Sequence, residues 1–119
     1  MATILLADDI SFIKLVQKEV LEKEGYEIVG EASDGIEVVE KYKELKPDVV
    51  IMDITMPRMD GLNAMRAILR LDPNARIIVC SALGQHQLII EAIKAGAKDF
   101  VVKPFDPKRL ALAIQRALK

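Results

Sequence analysis

Five short apolar runs, rich in β-branched residues, alternate strictly with helical patterns along the chain. The runs are Thr3–Ala7, Glu27–Ala32, Asp48–Met52, Arg76–Cys80 and Asp99–Val102. Their brevity and their valines and isoleucines favour strand. Between them, apolar residues return at the spacing of one helical face: Val16 and Val20, then Val38, Tyr42 and Leu45, then Met65 and Ile68. Leu88, Ile89, Ala92 and Ile93 follow, and finally Leu110, Ile114 and Leu118. Such alternation admits few folds. Right-handed crossovers between parallel strands put helices on both faces of the sheet. The expected class is α/β, with a doubly wound five-stranded parallel sheet.

The punctuation agrees with this division. Asp60 and Asp106 suit helix N-caps, and Pro107 suits the first helical position, where a missing N–H costs nothing. Gly25 and Gly96 fall where the first and fourth helices should end. Pro47 and Pro73 block continuation of the second and third. No linker, low-complexity tract or long repeat interrupts the pattern. The 119 residues fit one domain, 1–119, and end directly after the fifth helical pattern.

Composition narrows the function. Hydrophobic residues make up 51% of the chain but aromatics only 4%, so Ala, Val, Ile and Leu must fill the core. A net charge of −1 argues against a nucleic acid or membrane partner held by bulk charge. Cys80 is the single cysteine, so no internal disulfide forms, which suits a reducing compartment. The start, MATILLADD, lacks the basic segment of a secretory signal, and no apolar run is long enough to span a bilayer. A soluble, cytoplasmic protein without membrane insertion is expected.

In a doubly wound sheet, ligands bind beyond the carboxyl ends of the strands. Those ends carry Asp8-Asp9, Asp53, Ser81-Ala82 and Lys103-Pro104. An isolated Asp-Asp pair reads as a turn and helix cap. A third acid on the same rim changes that reading, because three close like charges need a cation. Carboxylates with a backbone carbonyl and waters suit Mg²⁺, and no His or second Cys is at hand for zinc. Lys103 reads either as a solvated lysine or as a point charge reaching inward toward an anion. The Lys103–Pro104 bond is open to either isomer. Ser81 reads as a loop hydroxyl or as a hydrogen-bond donor to that anion. Together these groups match the needs of acyl phosphate formation on a carboxylate.

The segments LLADD, VVIMDITMPRMDG, IIVCSALG and AKDFVVKPF resemble those of response-regulator receiver domains, and the similarity runs the length of the chain. The resemblance implies a flavodoxin-like (βα)5 fold with strand order 2-1-3-4-5. It implies phosphorylation at Asp53 and a Mg²⁺ site, open also to Mn²⁺, made of Asp8, Asp9, Asp53 and the backbone carbonyl of Thr55. Lys103 would bind the phosphoryl group, and Ser81 would do so after a shift. Phe100 matches a switch aromatic, and Ala82 is small where that ring must swing. Phe100 lacks the hydroxyl of the alternative tyrosine. The SALGQ segment looks most like the chemotaxis type. That type implies a CheA-like sensor histidine kinase as donor, a flagellar motor switch protein as target and a chemotaxis phosphatase as a further partner. The alternative is a receiver excised from a longer regulator with a DNA-binding or enzymatic output.

The expected role is a signalling phospho-acceptor rather than an enzyme, with self-phosphorylation from small donors and slow autodephosphorylation at most. Haloacid-dehalogenase-type phosphatases share the Asp nucleophile but need an acid two residues on, where this chain has Thr55. Flavin binding needs a phosphate-cradling loop after the first strand, where this chain has two acids. In the fourth helix, Ile89 and Ile90 lie about 100° apart, so one should turn toward the edge or outside. That surface reads either as a wide core stripe or as a partner face including Ile90, Lys98, Phe100 and Lys108, bordered also by Arg109. His86 reads as a surface residue and Cys80 as a small strand apolar residue.

Overall fold

The computed structural model describes residues 1–119. Strands β1 (Thr3–Ala7), β2 (Glu27–Ala32), β3 (Val49–Asp53), β4 (Ile77–Ser81) and β5 (Asp99–Val102) alternate with five helices. These are α1 (Ser11–Lys23), α2 (Gly35–Leu45), α3 (Gly61–Leu71), α4 (His86–Ala95) and α5 (Pro107–Leu118). All strand pairs are parallel, in the order β2-β1-β3-β4-β5. Every residue of β3 and β4 is buried, as expected of central strands with both faces covered. The edge strands β2 and β5 are only partly buried.

The sheet divides two cores. Leu5, Val50, Met52, Ile77 and Val79 face α2, α3 and α4, where Val38, Met65, Ile68 and Ala92 pack against them. Ile4, Leu6, Val49, Ile51, Ile78 and Val101 face the other way, against Leu21, Leu110 and Ile114. Burying each such side chain contributes about 1.5–3 kcal/mol, and the alternation along each strand supplies both layers at once.

Two strands start and end one residue later than the apolar runs suggest. Just before β3, Asp48 turns its carboxylate onto the backbone N–H (2.8 Å) and hydroxyl (3.1 Å) of Thr3, while its own N–H donates to the Thr3 carbonyl at 2.9 Å. At the other end, Asp53 pairs in register with Cys80. The Ile54 N–H donates to the Cys80 carbonyl at 2.9 Å, and the Lys103 N–H donates to the Ser81 carbonyl at 2.7 Å. Asp53 and Ser81 are therefore the last ladder residues of β3 and β4, not loop residues beyond them.

Helix ends follow local chemistry. Asp60 caps α3 by accepting the Asn63 N–H (2.8 Å), and Asp106 caps α5 through the Lys108 N–H (3.0 Å). Pro107 opens α5 and Gly96 closes α4 at φ 123°, a conformation glycine adopts without steric cost. A further cap escapes the motif reading. Asp34 accepts the Glu37 N–H at 2.8 Å while Glu37 reaches back past the cap to accept the Ser33 N–H at 2.6 Å, a variant of the capping box that starts α2. No helix is long and apolar enough to cross a membrane.

Candidate functional site

The carboxyl ends of β1, β3 and β5 meet at one rim. Asp8 leaves β1 with its N–H donated to the Ala32 carbonyl (3.0 Å), and its side chain is fully buried. Its Oδ1 accepts the Ile10 N–H at 2.9 Å, while Oδ2 accepts from Lys103 Nζ at 2.7 Å. Lys103 Nζ also lies 3.3 Å from Asp53 Oδ2. One ammonium thus bridges two buried carboxylates that come from strands far apart in sequence. The Lys103–Pro104 bond is cis. Helix α1 has Ile10 at its N-cap with no side-chain cap bond, so Asp8 both fixes the turn into α1 through the Ile10 N–H and faces the rim through Lys103.

Asp53 is held from behind. A Cβ at Gly61 would lie 2.0 Å from the Asp53 carbonyl oxygen, so only glycine lets α3 start this close to the end of β3. The Gly61 N–H donates to the Ile54 carbonyl at 2.6 Å, fixing that approach. Burial pushes the Asp53 carboxyl above its ordinary value, Lys103 opposes the rise, and the Asp8 charge adds to it. Burial also works against the charged form of Lys103, but its bond to Asp8 and the charge of Asp53 more than offset this and raise its pKa.

Asp9 is exposed, has no ion-pair partner, and completes an all-oxygen group. Carboxylate oxygens of Asp8, Asp9 and Asp53 lie within 4.8 Å of one another. Three carboxylates against one ammonium leave excess negative charge, and hard oxygen donors at this spacing fit a Mg²⁺-sized cation. The fit is chemical: two of the acids are buried, and one ammonium cannot balance all three. Thr55 follows two residues after Asp53, exposed, with its N–H 3.5 Å from Asp53 Oδ1.

Ser81 is fully buried, and its Oγ has no hydrogen-bond partner. An orphaned buried hydroxyl is costly unless a partner arrives. Ala82 beside it is exposed. Phe100 lies away from the acids, half-buried in β5, with the Arg109 guanidinium 5.7 Å over its ring. It lines a groove of about 550 Å³ with His86, Ile89, Ile90, Ile93 and Val102.

The groove lies on the expected partner face. Ile90 is exposed as anticipated, but so is Ile93; α4 packs on the core through buried Ala92 with partly buried Leu88, Ile89 and Ala95. Lys94 is the cation on the groove wall. Lys98 and Lys108 are exposed but stand outside that wall. Arg109 offers little free charge, because it binds Asp99 Oδ1 at 2.8 Å and the Phe100 carbonyl at 2.6 Å.

Some residues near the rim gave no signal in the sequence. Lys14 on α1 is buried, and its ammonium donates to Ser33 Oγ at 2.8 Å. Gln17, one turn on, is buried beneath the site and donates to Cys80 Sγ at 3.8 Å. Both sit at positions where a helical reading expects apolar residues. Arg58, at φ 65°, pairs through both donors with Asp34 at 3.0 and 3.1 Å, tying the loop after Asp53 to the start of α2.

With this geometry in place, similarity to known proteins is informative. The family model described as response regulator receiver domain matches residues 4–115. The chain is 57% identical over 116 residues to the chemotaxis protein CheY of Thermotoga maritima, covering 98% of this chain and 97% of the relative. It is 53% identical over 115 residues to CheY of Bacillus subtilis, covering 97% and 96%. Among solved structures, the CheX–CheY–BeF3–Mg²⁺ complex from Borrelia burgdorferi superposes with a TM-score of 0.94 at 38% identity, covering 99% of this chain and 90% of that one.

Proposed function

Because the chain belongs to the response regulator receiver domain family, we propose that Asp53 accepts a phosphoryl group and that the protein acts as a chemotaxis switch. Family members are phosphorylated on aspartate and bind Mg²⁺. The observation that carries the assignment is the Lys103 ammonium spanning Asp8 at 2.7 Å and Asp53 at 3.3 Å, inside a group of three carboxylates. No other cluster of acids on the chain is so arranged.

In the proposed reaction, an Asp53 carboxylate oxygen attacks phosphorus. The P–N bond of the donor phosphohistidine breaks, and its electron pair leaves with the imidazole. Asp8, Asp9, Asp53 and the Thr55 carbonyl would hold Mg²⁺, which when bound neutralises charge on the phosphoryl oxygens. Lys103 needs little movement to turn from Asp53 toward a phosphoryl oxygen, where its fixed charge adds to the stabilisation. Ser81 then has an acceptor for its orphaned hydroxyl, and its turn draws the segment after β4 with it. Phe100 follows into the space left near Ala82. Phosphorylation biases two existing arrangements rather than creating a new one.

The kinase donor is of the CheA-like type, and the target is a motor switch protein seated against α4, β5 and α5. The relatives' chemotaxis roles and the Borrelia complex with CheX support a partner-binding role of this kind. A chemotaxis phosphatase would close the cycle, because Thr55 supplies no acid to hasten hydrolysis. Intact mass after incubation with Mg²⁺ and acetyl phosphate tests the acceptor. Wild type gains one phosphoryl group and Asp53→Asn gains none; a persistent gain in the variant moves the acceptor elsewhere.

A further inference from the structure

The segment that must move is held by little. Ser81 itself is pinned, since its carbonyl accepts the Lys103 N–H at 2.7 Å across the β4–β5 ladder. Beyond it, Ala82, Leu83 and Gly84 take part in no backbone–backbone hydrogen bond. Leu83 is 81% exposed, and Gly84 sits at φ 90° with open space around it. One hydrogen bond closes this turn. The Ala82 N–H donates to Gln85 Oε1 at 2.7 Å. Gln85 stands at the N-cap of α4 but makes no forward cap with its side chain. Its carboxamide reaches back to Ala82 while its backbone carbonyl accepts the Ile89 N–H at 3.1 Å. The side chain therefore ties the free end of β4 to the first turn of α4.

We infer that Gln85 is a latch: its carboxamide holds the turn after β4 in the resting arrangement and releases Ala82 when Ser81 swings toward a phosphorylated Asp53. The inference rests on the phospho-acceptor reading above. A neutral side chain–backbone bond at the surface contributes modestly, so it biases the resting state by roughly two- to tenfold and does not lock it. That range suits a switch, since a stronger tie would suppress the response and none would let the turn sample many conformations. Gln85 touches no reacting atom; it is a positioning residue acting through Ala82 and Ser81.

Two variants test this by amide NMR, intact mass and acetyl phosphate kinetics. Gln85→Ala removes the acceptor, and Gln85→Glu keeps one. In unphosphorylated Gln85→Ala, the amide signals of Ser81–Gly84 should move along the line toward their positions in phosphorylated wild type. Phosphorylation with Mg²⁺ and acetyl phosphate should quicken by roughly two- to tenfold. In Gln85→Glu the Ala82 amide should stay near its wild-type position. Signals in Gln85→Ala that stay put, or that scatter off that line with the rate unchanged, overturn the latch. Phosphorylated wild type whose Ala82 amide keeps its resting position also overturns it. Wild type that takes up no phosphoryl group overturns the reading of Asp53 instead, which the mass measurement reports separately.

Discussion

At the scale of single residues, Asp53 trades stability for chemistry. Burial raises its carboxyl above the ordinary value of 3.8, so the folded state resists its ionisation more than the unfolded chain does. The sign follows: ionised Asp53 destabilises the fold at neutral pH, and the penalty fades as pH falls through the raised value toward 3.8. Asp53→Asn should therefore melt a few degrees higher than wild type at pH 7, with the difference shrinking on acidification, as calorimetry from pH 7 to pH 4 will show. Lys103 keeps Asp8 as a partner at 2.7 Å in that variant, so its charge is not stranded. Asp9 behaves differently, being exposed and unpaired. Asp9→Asn should leave the melting temperature without metal nearly unchanged but abolish the rise that Mg²⁺ gives wild type. The site acids, Lys103 and Ser81 were legible in the sequence because strand ends follow from the alternation of runs. Gln85, Lys14 and Gln17 were not, because a polar side chain's reach depends on neighbours that only folding brings near.

At the scale of elements, the start of α3 is the tightest joint. Gly61→Ala places a methyl group 2.0 Å from the Asp53 carbonyl and should cost about 3 kcal/mol or more of stability, measured by chemical denaturation. Ile90 makes the contrast, since it is 45% exposed on the groove beside Phe100. Ile90→Ala should change stability by less than about 0.5 kcal/mol yet weaken binding to the proposed motor switch target in calorimetric titration. Element order and type could be read from periodicity alone. The extension of β3 and β4 to Asp53 and Ser81 could not, because it rests on cross-strand bonds from Ile54 to Cys80 and from Lys103 to Ser81. Ile93 lies only about 60° from Ile90 round the helix, so its exposure goes with that of Ile90, but spacing alone does not say which side of the apolar stripe turns to the sheet.

At the scale of the whole molecule, several acids oppose Asp53 in sign. A backbone N–H bond from Glu37 and the Arg58 guanidinium hold Asp34 below 3.8, and the Thr3 backbone bond does the same for Asp48. Burial works against the charge of Asp99, but Arg109, the Phe100 N–H and Arg116 together outweigh it and leave that carboxyl lowered as well. Groups lowered in the folded state stabilise it fully above their unfolded value and lose that contribution as pH falls through the folded one. Acid unfolding should therefore begin below about pH 4, and Asp48→Asn should blunt it when followed by circular dichroism. Finally, the one ammonium of the site arrives last along the chain: Lys103 meets Asp8 across 95 positions of sequence. A ribosome that has delivered β1 through β4 has delivered all three acids but not yet the ammonium that pairs with two of them. The proposed competence to accept a phosphoryl group would thus be a late product of synthesis, and its uptake would double as an assay that β5 has docked.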